Sequence, residues 1–282
     1  MILVFGQTGQ VATELQRFGD VLALGRDRVD LTDATSCVDA IRSHAPSAVI
    51  NAAAYTVVDK AEDEKALAMI INGDAPTEMA RACVDLSIPF VHISTDYVFE
   101  GTGDIPWKPS DATAPQNTYG LSKLAGEEGI RASGATYAIL RTSWVVSAHG
   151  VNFVKSMLHL SETRCELSIV ADQIGGPTPA RDVAVACLQI VEQLHLDPMK
   201  SGTYHFSGAP NVSWADFASE IFYEAGRKVT VRPISTKDYP TSAKRPLNSR
   251  LKCSHTEKVF GIPRPDWRCG LTEILKDLEV IA

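Results

Sequence analysis

The chain has 282 residues, 45% of them apolar and 22% charged, the balance expected of an ordinary globular protein. Its formal net charge of −7, from 27 basic and 34 acidic side chains without a basic stripe, argues against a nucleic-acid partner. The six cysteines lie far apart with no C-x-x-C pair, and no apolar run approaches the ~20 residues that cross a bilayer, so reduced thiols, no membrane span and a cytoplasmic location are expected.

In chain order, short apolar runs alternate with helical patterns. Strands are expected at Ile2–Phe5, Val21–Leu24, Ala48–Asn51, Phe90–Ser94 and Tyr137–Arg141, and helices near Gln10–Phe18, Ala34–Ser43, Lys65–Asp85 and Gln116–Ala132. The runs "ILVF", "AVIN" and "FVHIS" are continuous rather than alternating, as strands covered on both faces are. Beyond residue 148 the pattern becomes irregular, with proline-rich loops such as "DQIGGPTPA" and "YPTSAKRPLNSR".

The first strand runs straight into "GQTGQVATEL", where Gly6, Gly9 and Ala12 fall at the spacing G-x-x-G-x-x-A. Glycines at such a turn let backbone N–H groups approach a pyrophosphate at the positive end of the following helix, and Ala12 lets that helix pack closely on the sheet. The fold class that follows is α/β, a Rossmann-type doubly wound parallel sheet with a smaller C-terminal α/β substrate lobe. The nucleotide-binding domain is expected over residues 1–148, with segments returning near 178–206, and the substrate lobe over 149–282.

The end of the second strand, "LALGRDRVDLTD", lacks the acidic residue that binds ribose hydroxyls in NAD enzymes and offers Arg26 and Arg28 instead. Guanidinium groups there suit a 2′-phosphate, so NADPH is expected, with NADH the alternative and solvated loop charge the plain reading of the arginines. Ala52, Ala53 and Ala54 in "NAAAYT" suit either a flat ligand at the strand tip or tight packing.

In "TYGLSKLAG", Tyr119 and Lys123 stand four residues apart and share a helix face. A phenol with its ordinary pKa near 10 is a poor proton donor at neutral pH, and an ammonium within ~4–6 Å is expected to lower that value. The seven histidines form no pair at i,i+4, and His92, inside a strand, reads as a hydrogen-bonded core residue.

Together the glycine loop, "HISTDYVF" at His92–Phe99 and Tyr119-x-x-x-Lys123 resemble the extended short-chain dehydrogenase/reductases. "NAAAYTVVDKAE", "STDYVFEGTGDIPW", "RTSWV", "DQIGGPT" and "KRPLNSRL" resemble, within them, the dTDP-4-dehydrorhamnose reductase family, over nearly the whole chain. That resemblance implies catalytic Tyr119, Lys123 and Thr95. It implies a cofactor set of Gly6, Gly9, Gln10, Val11, Arg26, Asp30, Leu31, Ala52, Ala53, Ala54, Tyr55 and Thr56 together with Tyr119 and Lys123. Thr95, Asp96 and Trp144 are the implied substrate contacts, Trp144 being equally readable as core. Tyr97 stands where nucleotide-sugar dehydratases carry a second acid, which argues against dehydration.

Arg250, Lys244 and Arg245 are open between diphosphate contacts and surface charge, and Gln173 between a sugar or base contact and neither. The implied reaction is NADPH-dependent reduction of the 4-keto group of dTDP-4-dehydro-L-rhamnose. A reductase giving dTDP-6-deoxy-L-talose and a non-catalytic dinucleotide-binding regulatory subunit are the alternatives, and a monomer or weak homodimer is expected. Some relatives hold Mg²⁺ between subunits; Glu14 matches one acidic position, but Arg181 and Val185 stand at the others, so no metal is expected.

Overall fold

A computed structural model describes residues 1–282. Through the first half run β1 (Ile2–Phe5), α1 (Gln10–Phe18), β2 (Val21–Leu24), α2 (Ala34–His44), β3 (Ala48–Asn51), α3 (Lys65–Met69), α4 (Ala75–Asp85), β4 (Phe90–Thr95), α5 (Thr118–Ala132) and β5 (Tyr137–Thr142). The second half adds β6 (Val145–Val146), α6 (Phe153–Ser161), β7 (Glu166–Val170), β8 (Ile174–Gly175), β9 (Thr178–Pro179), α7 (Ala180–Leu196) and β10 (Gly202–His205). It closes with β11 (Val212–Ser213), α8 (Trp214–Glu224), β12 (Thr230–Ile234), β13 (Asn248–Ser249), α9 (Ser254–Phe260) and α10 (Trp267–Asp277).

Six strands form one parallel sheet in the order β2-β1-β3-β4-β5-β10. Side chains alternate across it. Leu3 and Phe5 of β1 join Val49, Phe90 and Ile139 in a core under α2 and α4, while Val4, Ile50, Val91 and Leu140 face α1 and α7. Both faces are therefore dry, which is why these strands read as unbroken apolar runs. The chain leaves β1 toward β2 on one side and β3 on the other, so the carboxyl end of β1 is a switch point where a crevice opens.

In the second half of the chain α7 packs beside α1, and β10 extends the sheet next to β5. Phe260 and Ile262, at and beyond the end of α9, join the same core as α1 and α7. A separate core of Val154, Met157, Phe217, Ile221, Trp267 and Leu271 holds the C-terminal elements together.

The helix expected over Lys65–Asp85 is interrupted. A π turn at Ile70–Asp74 separates α3 from α4 and carries the buried Asn72. Such turns widen the helix by one residue and recur at functional sites. Here Asn72 accepts from the Tyr55 N–H at 2.8 Å and donates to the Tyr55 carbonyl at 3.0 Å and the Ser122 hydroxyl at 3.0 Å. The loop after β3 is thereby tied to α5. No helix is long and apolar enough to cross a membrane.

Candidate active site

A cleft of about 1020 Å³ runs along the carboxyl ends of β1–β5, from Arg26 and Asp30 at one end to Trp144, Trp214 and Arg245 at the other. At its floor Gly6 adopts φ +104°, a left-handed conformation that strains any side chain, and a Cβ there would press on the Ala52 and Ala53 backbone. Gly9 caps α1 without a side-chain bond and has open space where a Cβ would sit, so the first N–H groups of the helix face the cleft uncovered. Ala12 is wholly buried against the sheet. This is a cradle for an anion, and it fits a dinucleotide's pyrophosphate.

Of the expected cofactor residues, Gly6, Gly9, Gln10, Val11, Arg26, Asp30, Leu31, Ala52, Ala53, Ala54, Thr56, Tyr119 and Lys123 all line the cleft. Tyr55 does not. Its hydroxyl donates to Glu64 Oε2 at 2.7 Å while its backbone is held by Asn72, so the ring turns away from the crevice. Arg28, unlike Arg26, is also absent from the lining. Gly25 supplies no ribose-binding carboxylate, and the flexible ends of the Gln7 and Asp27 side chains fill the space beside it.

Thr95 ends β4, and Asn117 caps α5 by accepting from the Gly120 N–H at 2.8 Å. That start brings Tyr119 and Lys123 to the same wall as Thr95 and Asp96. The Tyr119 ring packs edge-on against Tyr97, centroids 5.5 Å apart. Its phenol lies well above the ordinary value: burial raises it, the Thr95 hydroxyl pulls it down, and Asp96 and Tyr97 push it up.

Lys123 exerts no such pull. Its Nζ donates to the Ile93 carbonyl at 2.7 Å and lies 2.9 Å from His92 Nε2. Burial lowers it to about 7, against the opposing charge of Glu127. The expected lowering of the phenol by a neighbouring ammonium is thus not the arrangement of the unliganded site, because the lysine is turned toward β4.

Asp96 is wholly buried with Oδ2 unpartnered, and burial raises its carboxyl to about 6 despite the Ser249 and Thr95 hydroxyls. An orphaned oxygen at the cleft wall suits a substrate hydroxyl. Trp144 holds φ +52° and stacks on Trp214, centroids 3.6 Å apart and planes within 12°. A left-handed tryptophan is uncommon, and here the strain aims an aromatic pair into the cleft rather than into the core.

Among the basic candidates only Arg245 reaches the cleft, bonded to Asp59 and, at 3.4 Å, to the Tyr97 hydroxyl. Lys244 donates to Gln116 at 2.9 Å, Arg250 to Asn248 at 3.0 Å, and Gln173 to Thr236 at 3.1 Å; none of the three lines the cleft.

At Glu14 three groups that could ligate a cation do meet, with an arginine seated among them. Glu14, His149 and Asp277 converge, but Arg17 already lies 2.8 Å from Asp277 and 3.3 Å from Glu14. His149 Nε2 lies 3.1 Å from Glu14, and Arg181 pairs with Glu273. The guanidinium of Arg17 supplies the positive charge that these carboxylates lack in a metal.

Sequence reasoning did not single out Asn72, Trp214, or the buried set in which Glu127 accepts two bonds from Arg141 (2.8 and 2.6 Å) and one from Ser94 (2.6 Å). A signal existed for the last: positions 119, 123 and 127 share one face, and Arg141 interrupts an apolar strand.

A glycine cradle at the sheet's switch point, a strand-end Thr95 and the Tyr119–Lys123 helix on one cleft define an NAD(P)H-dependent oxidoreductase of the extended short-chain dehydrogenase/reductase type. A family model described as the RmlD substrate binding domain matches residues 1–280. The dTDP-4-dehydrorhamnose reductase of Sinorhizobium fredii is 42% identical over 276 residues, spanning 94% of this chain and 93% of the relative. The chain belongs to the dTDP-4-dehydrorhamnose reductase family. Among solved structures, a dTDP-4-dehydrorhamnose reductase from Clostridium acetobutylicum matches with TM-score 0.92 and 36% identity over 99% of each chain. One from Bacillus anthracis, in complex with NADP, matches with TM-score 0.91 and 35% identity over 98% of each chain.

Proposed function

We propose that this chain reduces the 4-keto group of dTDP-4-dehydro-L-rhamnose, giving dTDP-L-rhamnose, with NADPH as its cofactor and without a metal. The observation that carries the reading is a single cleft with an anion cradle and Arg26 at one end, proton-donating groups at its centre, and an aromatic pair with one guanidinium at the other.

Bound NADPH supplies the hydride for the carbonyl carbon. The residues do the rest. Arg26 meets the 2′-phosphate, and the open N-terminus of α1 meets the pyrophosphate. At the far end Trp144 offers a flat face to the sugar nucleotide, and Arg245, held by Asp59, meets its diphosphate. Thr95 donates to the ketone oxygen and Asp96 accepts from a sugar hydroxyl. Tyr119, kept protonated by burial, delivers its proton as negative charge develops on that oxygen; an alkoxide is a stronger base than a phenolate, so the transfer runs downhill.

The test supplies the purified protein with NADPH and the 4-keto sugar nucleotide, follows loss of NADPH absorbance, and identifies the sugar formed by NMR. dTDP-L-rhamnose is expected. Dinucleotide binding without turnover would instead mark a regulatory subunit, and a 6-deoxytalose product would mark the opposite presentation of the ring to the hydride.

A further inference from the structure

His92 is the buried group for which reduction, as described above, has no use, yet its ring touches Lys123. The hydrogen bonds around it assign their own protons. The Ala53 N–H donates to Asn51 Oδ1 at 3.1 Å, which fixes the amide: its oxygen faces Ala53, and its Nδ2 faces His92 Nδ1, also at 3.1 Å. The reverse amide orientation would set an NH₂ against the Ala53 N–H, two donors facing each other in a dry site.

An amide nitrogen has only hydrogens to offer, so His92 Nδ1 is a bare lone pair. The ring is wholly buried and stays neutral, burial being the main cause that pushes its pKa well below 6.5. A neutral ring with Nδ1 bare carries its hydrogen on Nε2. That N–H points at Lys123 Nζ, 2.9 Å away.

An ammonium has three hydrogens and no lone pair, and cannot accept this bond. A neutral amine can: it accepts from His92 and donates to the Ile93 carbonyl at 2.7 Å. The other groups around Lys123 do not reverse the outcome. On α5, Glu127 is bonded to Arg141, Arg131 and Ser94, and Tyr119 is itself protonated. Just past β4, Asp96 accepts from Thr95, and on β5, Arg141 is positive.

We propose that Lys123 rests as an uncharged amine held by the Asn51–His92 chain, and that binding of a dinucleotide releases it from His92 with uptake of one proton from solvent. His92 is then a positioning residue: it parks the lysine away from the phenol until the anionic cofactor offers phosphate charge and ribose oxygens as better partners. The raised phenol of Tyr119 in the unliganded site is the counterpart of that parking. The second half of the inference rests on the reductase reading; the protonation state of the unliganded site does not.

The decisive measurement uses the wild-type protein. With ¹⁵N-labelled histidine, the His92 ring is assigned by the loss of its signals in His92→Gln, or by its contact with the Phe90 ring if that variant does not fold. The neutral Nε2–H form is expected at pH 8–9, above the lowered value of the lysine; the Nδ1–H form there would make Lys123 an ammonium and overturn the proposal. Calorimetric titration with NADP⁺ at pH 8 in buffers of different ionisation enthalpy is then expected to show uptake of close to one proton, and the absence of uptake would equally overturn it. A purely structural His92 moves neither readout. Proton uptake without NADPH oxidation on the keto sugar would sink the reductase reading and leave this one standing.

Discussion

Tyr119→Phe tests the chemistry at its centre. The ring keeps its edge-on packing against Tyr97, because that contact is made by carbon edges and faces 5.5 Å apart, and only the hydroxyl near Thr95 is lost. Folding stability should therefore change by no more than about 1 kcal/mol, the net value of one hydrogen bond. The cradle is built by Gly6, Gly9 and the α1 terminus, none of which touches this ring, so NADPH affinity should stay within about threefold. A general acid accelerates proton transfer about 10²–10⁴-fold. Kcat should fall by that factor, about 3–5 kcal/mol of barrier, with the KM for the sugar nucleotide changing far less. In the unliganded enzyme burial holds the phenol above its ordinary value, so ionisation of Tyr119 there causes no fall in kcat/KM until the pH exceeds about 10. Stopped-flow loss of NADPH absorbance gives kcat, and fluorescence titration gives cofactor affinity. Turnover within about tenfold of wild type, with the fold intact, would mean that another group delivers the proton and that the reading of the cleft is wrong.

Arg26→Ala should lower kcat/KM for NADPH relative to NADH about tenfold or more, the worth of one charge-assisted bond to the 2′-phosphate; an unchanged ratio would place that phosphate elsewhere. Arg245→Leu should raise KM for the sugar nucleotide by about 10–100-fold with kcat little changed, which steady-state kinetics would show. Glu127→Gln leaves Arg141 buried without its counter-charge and should cost about 3 kcal/mol in urea unfolding. The Glu127 carboxyl is held below its ordinary pKa by Arg141, Ser94 and Arg131 despite burial, so its contribution is present above about pH 4 and is lost as pH falls through the folded value. Asp96 behaves oppositely: raised to about 6, it favours the folded state below about pH 4 and loses that contribution as pH rises through about 6. Asp96→Asn should accordingly raise the Tm at pH 8, by up to about 3 kcal/mol of stability, while weakening substrate binding.

The sheet was legible because its strands are short, buried on both faces and bounded by glycine or polar turns. Ile2–Phe5, Val21–Leu24 and Ala48–Asn51 appear with the bounds that their apolar runs imply, and β4 and β5 each extend one residue further. Helix α5 begins two residues later than Gln116, since Asn117 is its cap rather than its first turn. The glycine turn and the shared helix face of Tyr119 and Lys123 were legible from local spacing, and Thr95 only through the family resemblance. Directions were not. Periodicity places Tyr119 and Lys123 on one face but does not say that the lysine, with four carbons of reach, turns to the Ile93 carbonyl. Nor does the string "AAAYT" say that Tyr55 turns to Glu64 while its neighbours face the cleft. Trp214 was beyond reach altogether, and nothing local chose Arg245 over Lys244 and Arg250, because only the tertiary path of the second half brings α8 and the 240–247 loop against the first.

That path also ties the second half of the chain to the helix that carries Tyr119. Ala243 donates its N–H to Asp59 at 2.9 Å, Arg245 bonds to the same carboxylate, and the Lys244 carbonyl accepts from Asn117 at 2.8 Å. Asn117 therefore does two things with one amide: its oxygen caps α5 at the Gly120 N–H, and its nitrogen fastens the strap that carries Arg245. The first turn of α5 has no slack to absorb a shift in that strap. Gly120 lies so close to the Tyr97 carbonyl, and Gly126 to the Asn72 carbonyl, that a Cβ at either would clash with backbone. Tyr119 is thus set between the strap that carries Arg245 and backbone that does not yield. The strap therefore fixes the start of α5 and the place of Arg245 together, so the helix that presents the proton and the guanidinium of the cleft share one frame.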